Sequence, residues 1–190
     1  MTIYTKRGDK GSTSLYDKAS SQRDRVSKDS AKIRTIGSLD ELNSYLGVVI
    51  STSEDSDLNS KLKEIQRNIF QIGSIIAGSN LRFFANKTRQ LEKEIDELEG
   101  KLPVLKNFIL PGGTETASLL QYSRALSRRA ERNAVSLYKN ELSAKGRSSF
   151  GRKHQILTYL NRLSDFLFMQ ARNVNHKNSI SEEVWVGGKH

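Results

Sequence analysis

Residues 5–14, ThrLysArgGlyAspLysGlySerThrSer, set two glycines among cations and hydroxyls. A loop of that composition can turn its backbone N–H groups inward and cradle phosphate oxygens. It is not a Walker A loop, because the chain has no G-x-x-x-x-G-K-[ST]. A flexible basic segment would contain the same residue types, so the pattern alone leaves both readings open. The second candidate is ArgAlaLeuSerArgArgAlaGluArg, 124–132. Arg124, Arg128 and Arg132 recur at i, i+4 and i+8, drifting about 40° per step on a helix, so they form one stripe. Arg129 lies round the helix, and Glu131 stands within pairing reach of Arg128. Ordinary surface salt bridges would also account for these arginines. Against that, three aligned like charges repel by a few tenths of a kcal/mol per pair. That cost favours an external anion, and arginine is suited to forked phosphate contacts.

Asp40, between Leu39 and Leu42, sits in an otherwise apolar helical stretch. It is either a solvated acid or a partner for one of the arginines. Asn161 and Asp165 lie i, i+4 in the most hydrophobic segment and could line one internal site. None of the three histidines stands near a second ligand type, so no protein-held metal is expected.

The elements that must position these groups are helical. The chain has 190 residues with 36% hydrophobic and 27% charged, enough for one domain with a buried core. There are two prolines, so long helices are expected. An apolar stripe runs Ile33, Ile36, Leu39, Leu42, Leu46, Val49, Ile50, and a second runs Leu58, Leu62, Ile65, Ile69, Ile72, Ile75, Ile76. These predict helices over about 29–53 and from 58 to a cap at 78–80. A shorter helix is expected over 87–99, a fourth over about 114–142 and a fifth over about 154–173. The fifth is apolar nearly all round and should be central. Between the third and fourth lies 101–113, LysLeuProValLeuLysAsnPheIleLeuProGlyGly, too apolar for a bare surface loop. Residues 144–153 read as a basic Gly/Ser linker, 1–28 as a loop and the tail as polar apart from Val184, Trp185 and Val186. No strand pattern competes, so the expected fold is an all-α, up-and-down five-helix bundle.

Composition bounds the partners. Lys plus Arg is 31 and Asp plus Glu is 21, giving +10, which suits a phosphate-bearing ligand, a nucleic acid or an anionic surface. There is no cysteine, which excludes disulfide scaffolds and thiol catalysis. No run of 18 uncharged apolar residues exists, so no membrane partner is expected. No apolar leader is visible, so the expected location is cytoplasmic, with a trimmed organellar form left open.

Six segments in order, TKRGDKGST (5–13), Lys28, IGSLDELNSYLG (36–47), FILPGG (108–113), RALSRRAER (124–132) and YLNRLSDFLF (159–168), resemble the PduO-type ATP:cob(I)alamin adenosyltransferases over nearly the whole chain. The resemblance implies a homotrimer of five-helix bundles with active sites between subunits. It implies one domain over 1–190: a phosphate-binding loop (1–28), the bundle (29–175) and a tail (176–190). It implies that Co(I) of a corrinoid attacks the 5′ carbon of ATP and triphosphate leaves. Carried over, Thr5, Lys6, Arg7, Gly8, Thr13 and Ser14 hold the triphosphate and Lys28 adds charge. Arg128, Arg129 and Arg132 hold the phosphates, with Arg128 in the catalytic role, and Glu131 and Asn161 contact the nucleotide. Asp40 pairs with Arg124 across the subunit boundary, and Phe108 faces the corrin. Mg²⁺ arrives with ATP rather than on protein ligands. A corrinoid reductase and an adenosylcobalamin-dependent enzyme are compatible partners.

Three features depart from that pattern: Gln121 where many members have histidine, the basic linker, and Trp185 in the tail. The rival reading is a non-enzymatic basic helical module that binds nucleic acid or another polyanion. It has the charge but no reading motif or stacking aromatic run, so no nucleic-acid partner is expected. A second rival, a scaffold trimer that has lost activity, is disfavoured by the intact GDKGST and RRAER segments.

Overall fold

The computed structural model describes residues 4, 6–15, 25–145 and 150–187. Among these, two short strands precede five helices: β1 (Ser12–Ser14), β2 (Arg25–Ser27), α1 (Ala31–Thr52), α2 (Ser56–Ala77), α3 (Asn86–Glu99), α4 (Glu115–Lys145) and α5 (Phe150–Lys177).

Local chemistry sets the helix starts. The Ser30 hydroxyl accepts from the Ile33 N–H at 3.4 Å, and the Asp55 carboxylate accepts from the N–H groups of Asp57 and Leu58 at 3.1 Å. Thr114 does the same for Ala117 ahead of α4, at 3.1 Å. Gly78, at φ 120°, closes α2, its N–H bonded to the Ile75 carbonyl at 3.1 Å. Only Ser53, Glu54 and Asp55 separate α1 from α2, so the two run as an antiparallel hairpin.

One apolar cluster runs through all five helices, including Leu42, Leu46, Ile69, Leu91, Leu120 and Phe166. α1 packs on α2 and α4, and α5 packs on α3 and α4. The helix that is apolar nearly all round is thus central, as its sequence predicts: Tyr159, Leu160, Leu163, Phe166 and Leu167 are fully buried. Truncating such a phenylalanine to alanine costs roughly 3–5 kcal/mol. A polar knot in this core joins α2, α3 and α5. The Asn68 amide donates to the Tyr159 hydroxyl at 3.2 Å, and Lys87 donates to the Asn68 oxygen. Burial pushes the Tyr159 hydroxyl far above its ordinary range, so it stays protonated.

Two expectations are corrected. Strands do exist: β1 and β2 pair antiparallel, Thr13 opposite Val26. Three residues each are too few for an alternating pattern to show. Second, α4 runs three residues beyond Leu142, and α5 starts at Phe150 and ends at Lys177. Ala144 and Lys145 are good helix formers, and a single glycine in a first turn costs only about 1 kcal/mol. Most of the supposed linker 144–153 is therefore helix, with 146–149 outside the described residues. The tail, polar apart from Val184, Trp185 and Val186, also docks on the 101–113 segment. Ile109 and Val184 form an antiparallel bridge, flanked by Leu110 N–H to Glu183 O and Trp185 N–H to Phe108 O, both 2.8 Å.

Candidate functional site

The N-terminal loop is a compact double turn. The Gly11 N–H donates to Gly8 O at 3.2 Å, and Lys6 and Gly11 both take positive φ, 57° and 75°. Lys28, whose N–H bonds Gly11 O at 2.9 Å, brings its ammonium over Gly8, 3.3 Å from where a Cβ on that glycine would stand. Any larger residue at position 8 would meet that cation. Arg7 and Lys6 are exposed, Thr13 is half-buried and Ser14 is exposed beside Arg25 in the strand register. Lys6, Arg7, Gly8, Thr13, Ser14 and Lys28 thus lie in one hairpin. Thr5 lies outside the described residues.

Sequence reasoning missed Arg25, which fastens that hairpin. Its guanidinium donates to the Ser12 hydroxyl at 3.1 Å and to the Arg7 carbonyl. The signal was faint, because Arg25 lies in a charge-rich stretch with no periodicity.

The arginine stripe lies on α4. Arg124 is half-buried and donates through Nε to Gln121 Oε1 at 2.8 Å. Burial and then the neighbouring Arg128 push its guanidinium below the ordinary arginine range. Gln121, at the position of departure, is buried and orients this arginine. Arg128 and Arg132 are exposed, and among the described residues neither has a carboxylate within ion-pair distance. Arg129 is different: it pairs with Glu41 of α1. Glu131 does not pair with Arg128. It accepts from the Asn161 amide of α5 at 3.1 Å, because the α4–α5 seam brings these two together. Asn161 and Asp165 do not line one site together either. Asn161 is exposed, and Asp165 accepts from Arg162 at 2.8 Å.

Two cavities adjoin on this side. One, of about 640 Å³, is lined by Arg124, Arg128, Asp165, Phe168, Arg172 and Leu105, among others. The other, of about 740 Å³, is lined by Phe108, Pro111, Gln121, Arg124, Phe168 and Trp185, with Leu105 shared. Arg124 and Phe168 thus form a wall common to a cationic cavity and an apolar one. Phe108 is 82% exposed, so it does not belong to the core of the chain.

The turn that presents Phe108 is built by tertiary contacts. The Asn175 amide donates to Gly112 O at 2.9 Å and accepts from Thr114 N–H at 3.0 Å. Gly113 has φ 106°, and a Cβ there would overlap that amide. Arg172 of α5 is 5% exposed and forks onto Glu182 of the tail at 2.7 and 3.0 Å, with a further bond to Pro103 O at 2.8 Å. Arg172 and Asn175 escaped the sequence reading, although a lone charge on an apolar helix signals a hidden partner.

The structure does not unite every candidate. Among the described residues, no hydrogen bond or ion pair joins the N-terminal hairpin to α4 or α5. Asp40 is exposed on a shallow groove of about 240 Å³ between α1 and α2, with Ile36, Ile69 and Phe70. Arg124 opens on the other cavities, so the two do not meet within one chain. Among the described residues no three His, Cys, Asp or Glu side chains come together as a set that could hold a metal ion. No described helix is long and apolar enough to cross a membrane.

Known proteins share both this sequence and this architecture. A corrinoid adenosyltransferase of Bacillus subtilis is 38% identical over 191 residues, covering 96% of this chain and 91% of that protein. The corrinoid adenosyltransferase PduO of Citrobacter freundii is 34% identical over 97% of this chain, which spans 54% of that longer protein. A solved variant PduO-type ATP:corrinoid adenosyltransferase from Lactobacillus reuteri, complexed with cobalamin and ATP, superposes with a TM-score of 0.85 at 32% identity. That match covers 97% of this chain and 99% of the other. The model of the cobalamin adenosyltransferase family matches residues 3–174. With a five-helix architecture shared end to end and a family match across nearly the whole bundle, the chain belongs to the cobalamin adenosyltransferase family.

Proposed function

We propose that this chain transfers the 5′-deoxyadenosyl group of ATP to the Co(I) centre of a corrinoid, giving adenosylcobalamin and triphosphate. Besides family membership, one observation carries the reading: a cationic cavity holding Arg124 and Arg128 shares a wall with an apolar cavity edged by Phe108 and Trp185. Two large substrates, one polyanionic and one a flat ring, need such a pair of compartments.

In the proposed step the Co(I) lone pair forms the bond to C5′, the C5′–O bond breaks, and triphosphate leaves with the electron pair. The protein need supply no nucleophile. It must stabilise charge gathering on the leaving group and hold two reactants in line. Arg128 does the first, with Arg132 beside it on α4. Lys6, Arg7, Gly8, Thr13, Ser14 and Lys28, with Thr5, form the other half of the phosphate grip. Arg129 joins them once it leaves Glu41, and the Glu131–Asn161 pair meets the nucleoside end. Phe108 excludes water from the ring face and offers the corrinoid's lower-face base no donor. Mg²⁺ belongs to this scheme only as a companion of ATP, held by phosphates and water.

The homotrimer is part of the proposal. It is supported by the separation, within one chain, of the hairpin from the arginine row and of Asp40 from Arg124. A second copy would bring Asp40 to Arg124 and the hairpin to Arg128. Light scattering should give about three chain masses, and one chain mass at micromolar concentration would remove this part. The same proposal takes residues 1–190 as one domain. It sets the enzyme in the cytoplasm, where ATP is supplied, with a corrinoid reductase upstream and an adenosylcobalamin-dependent enzyme downstream.

The deciding experiment is anaerobic incubation of the protein with ATP and chemically reduced cobalamin. The spectrum should turn to that of adenosylcobalamin at a rate proportional to protein. No change above the protein-free rate would defeat the proposal.

A further inference from the structure

The tail from Glu182 to Trp185 lies along 108–110 through the Ile109–Val184 bridge and its two flanking backbone bonds. A bridge this short has no stability of its own. On the tail side its residues are exposed: Val184 is 44% and Trp185 54% accessible. What holds it is one step inward. Arg172 is buried on α5, and its guanidinium joins both surface segments, Glu182 of the tail and Pro103 of the loop that leads to Phe108. A buried ion pair adds little net stability, because desolvation offsets the attraction. It does fix geometry, and here the geometry it fixes is that of two otherwise loosely held strands.

We propose that Arg172 is a positioning residue for the corrinoid side of the reaction. Through Glu182 and the Pro103 carbonyl it keeps the tail strapped to 108–110. That holds Phe108 and Trp185 at the rim of the 740 Å³ cavity. The inference rests on the reading of that cavity as the corrinoid compartment. Arg172 also edges the 640 Å³ cavity, but its guanidinium is committed to Glu182 and the Pro103 carbonyl, and in this scheme it acts through them; Glu182 itself stands outside that cavity's lining.

The sequence supplies its own reporter, because Trp185 is the only tryptophan of the chain. The test uses the full chain with Arg172→Lys, which loses the fork, and Glu182→Gln, which keeps volume on a partly exposed residue and so spares folding. Acrylamide quenching of Trp185 reads the strap, and the KM values for cob(I)alamin and ATP read the two compartments. If the strap is docked only about a tenth of the time, the cob(I)alamin KM rises roughly tenfold. In Glu182→Gln, which lies outside the 640 Å³ cavity, the ATP KM should stay at the wild-type value while quenching increases. The proposal is overturned if quenching rises with the cob(I)alamin KM unchanged, if both KM values rise equally in Glu182→Gln, or if quenching does not move. Phe108→Ala serves as a separate arm. An unaltered cob(I)alamin KM there removes the role given to Phe108, while the strap is judged by its own two variants.

Discussion

The α4 arginine row and the 102–113 segment with its tail are the two walls of one site, and they are built by opposite means. The row is a property of one helix. Arg124, Arg128 and Arg132 share a face because 3.6 residues make a turn, and none of the three has an acidic partner among the described residues. The loop is a property of the whole fold. Its shape depends on Arg172 and Asn175, more than sixty residues further along the chain, and on a strand from the tail. Charge can thus be offered from a rigid helix at little structural cost. An exposed apolar ring must be held by contacts from elsewhere, since nothing in its own loop favours one position.

If this contrast is right, substitutions on the two walls should fail differently. Arg128→Ala should have the largest effect. It should lower kcat/KM for ATP by roughly 10²–10³-fold, the loss expected when one fixed donor to developing charge is removed. The melting midpoint should barely change, since Arg128 is exposed and unpaired among the described residues. A Lys replacement should recover only part. Wild-type turnover at subsaturating ATP would break the comparison at once.

On the other wall, Gly113→Ala should cost stability as well as activity. The added methyl at φ 106° would strain the backbone and displace the Asn175 amide from Gly112 and Thr114. A loss of about 2 kcal/mol is expected, roughly 4–8 °C in melting midpoint for a chain of this size. A midpoint equal to that of wild type would show that the turn is as self-sufficient as the helix.

Asp40→Asn and Arg124→Ala sharpen the comparison by asking whether the row belongs to one chain. Asp40 is exposed on the α1–α2 groove and does not meet Arg124 within one chain. If a second copy joins them, the double variant should be no worse in turnover than the poorer single. Additive losses would confine the row to its own subunit.

The smallest effect concerns the far end of α5. Lys177 donates to Asp55 at 2.7 Å, and that bond with the cap N–H of Leu58 holds the Asp55 carboxyl below its ordinary 3.8. A lowered folded-state value means that the stabilisation is present above the unfolded pKa and is lost as pH falls through the folded one. Asp55→Asn should cost about 0.5 kcal/mol near neutrality, a normal worth for a pair still partly open to solvent. The gap between the two proteins should close in denaturant titrations below pH 3.8. A gap independent of pH would mean the cap alone matters.

Much of this was legible in the order of residues, for a local reason. Helical periodicity is written within a few turns, so Leu39 to Val49, Leu58 to Ile76 and the all-round apolar Ile156 to Met169 announce the bundle and its central helix. The spacing of Arg124, Arg128 and Arg132 likewise fixes their shared face whatever the helix packs against, and the family follows from six motifs in order. What stayed hidden depends on residues far apart in the chain. Pairing of Ile109 with Val184, of Arg172 with Glu182, and of Asn161 with Glu131 rather than Arg128 with Glu131 requires α4, α5 and the tail to be docked first. No local pattern encodes which of several polar neighbours a side chain will reach. That choice is made by packing, where a buried charge such as Arg172 must take whatever partner the fold brings within hydrogen-bond distance.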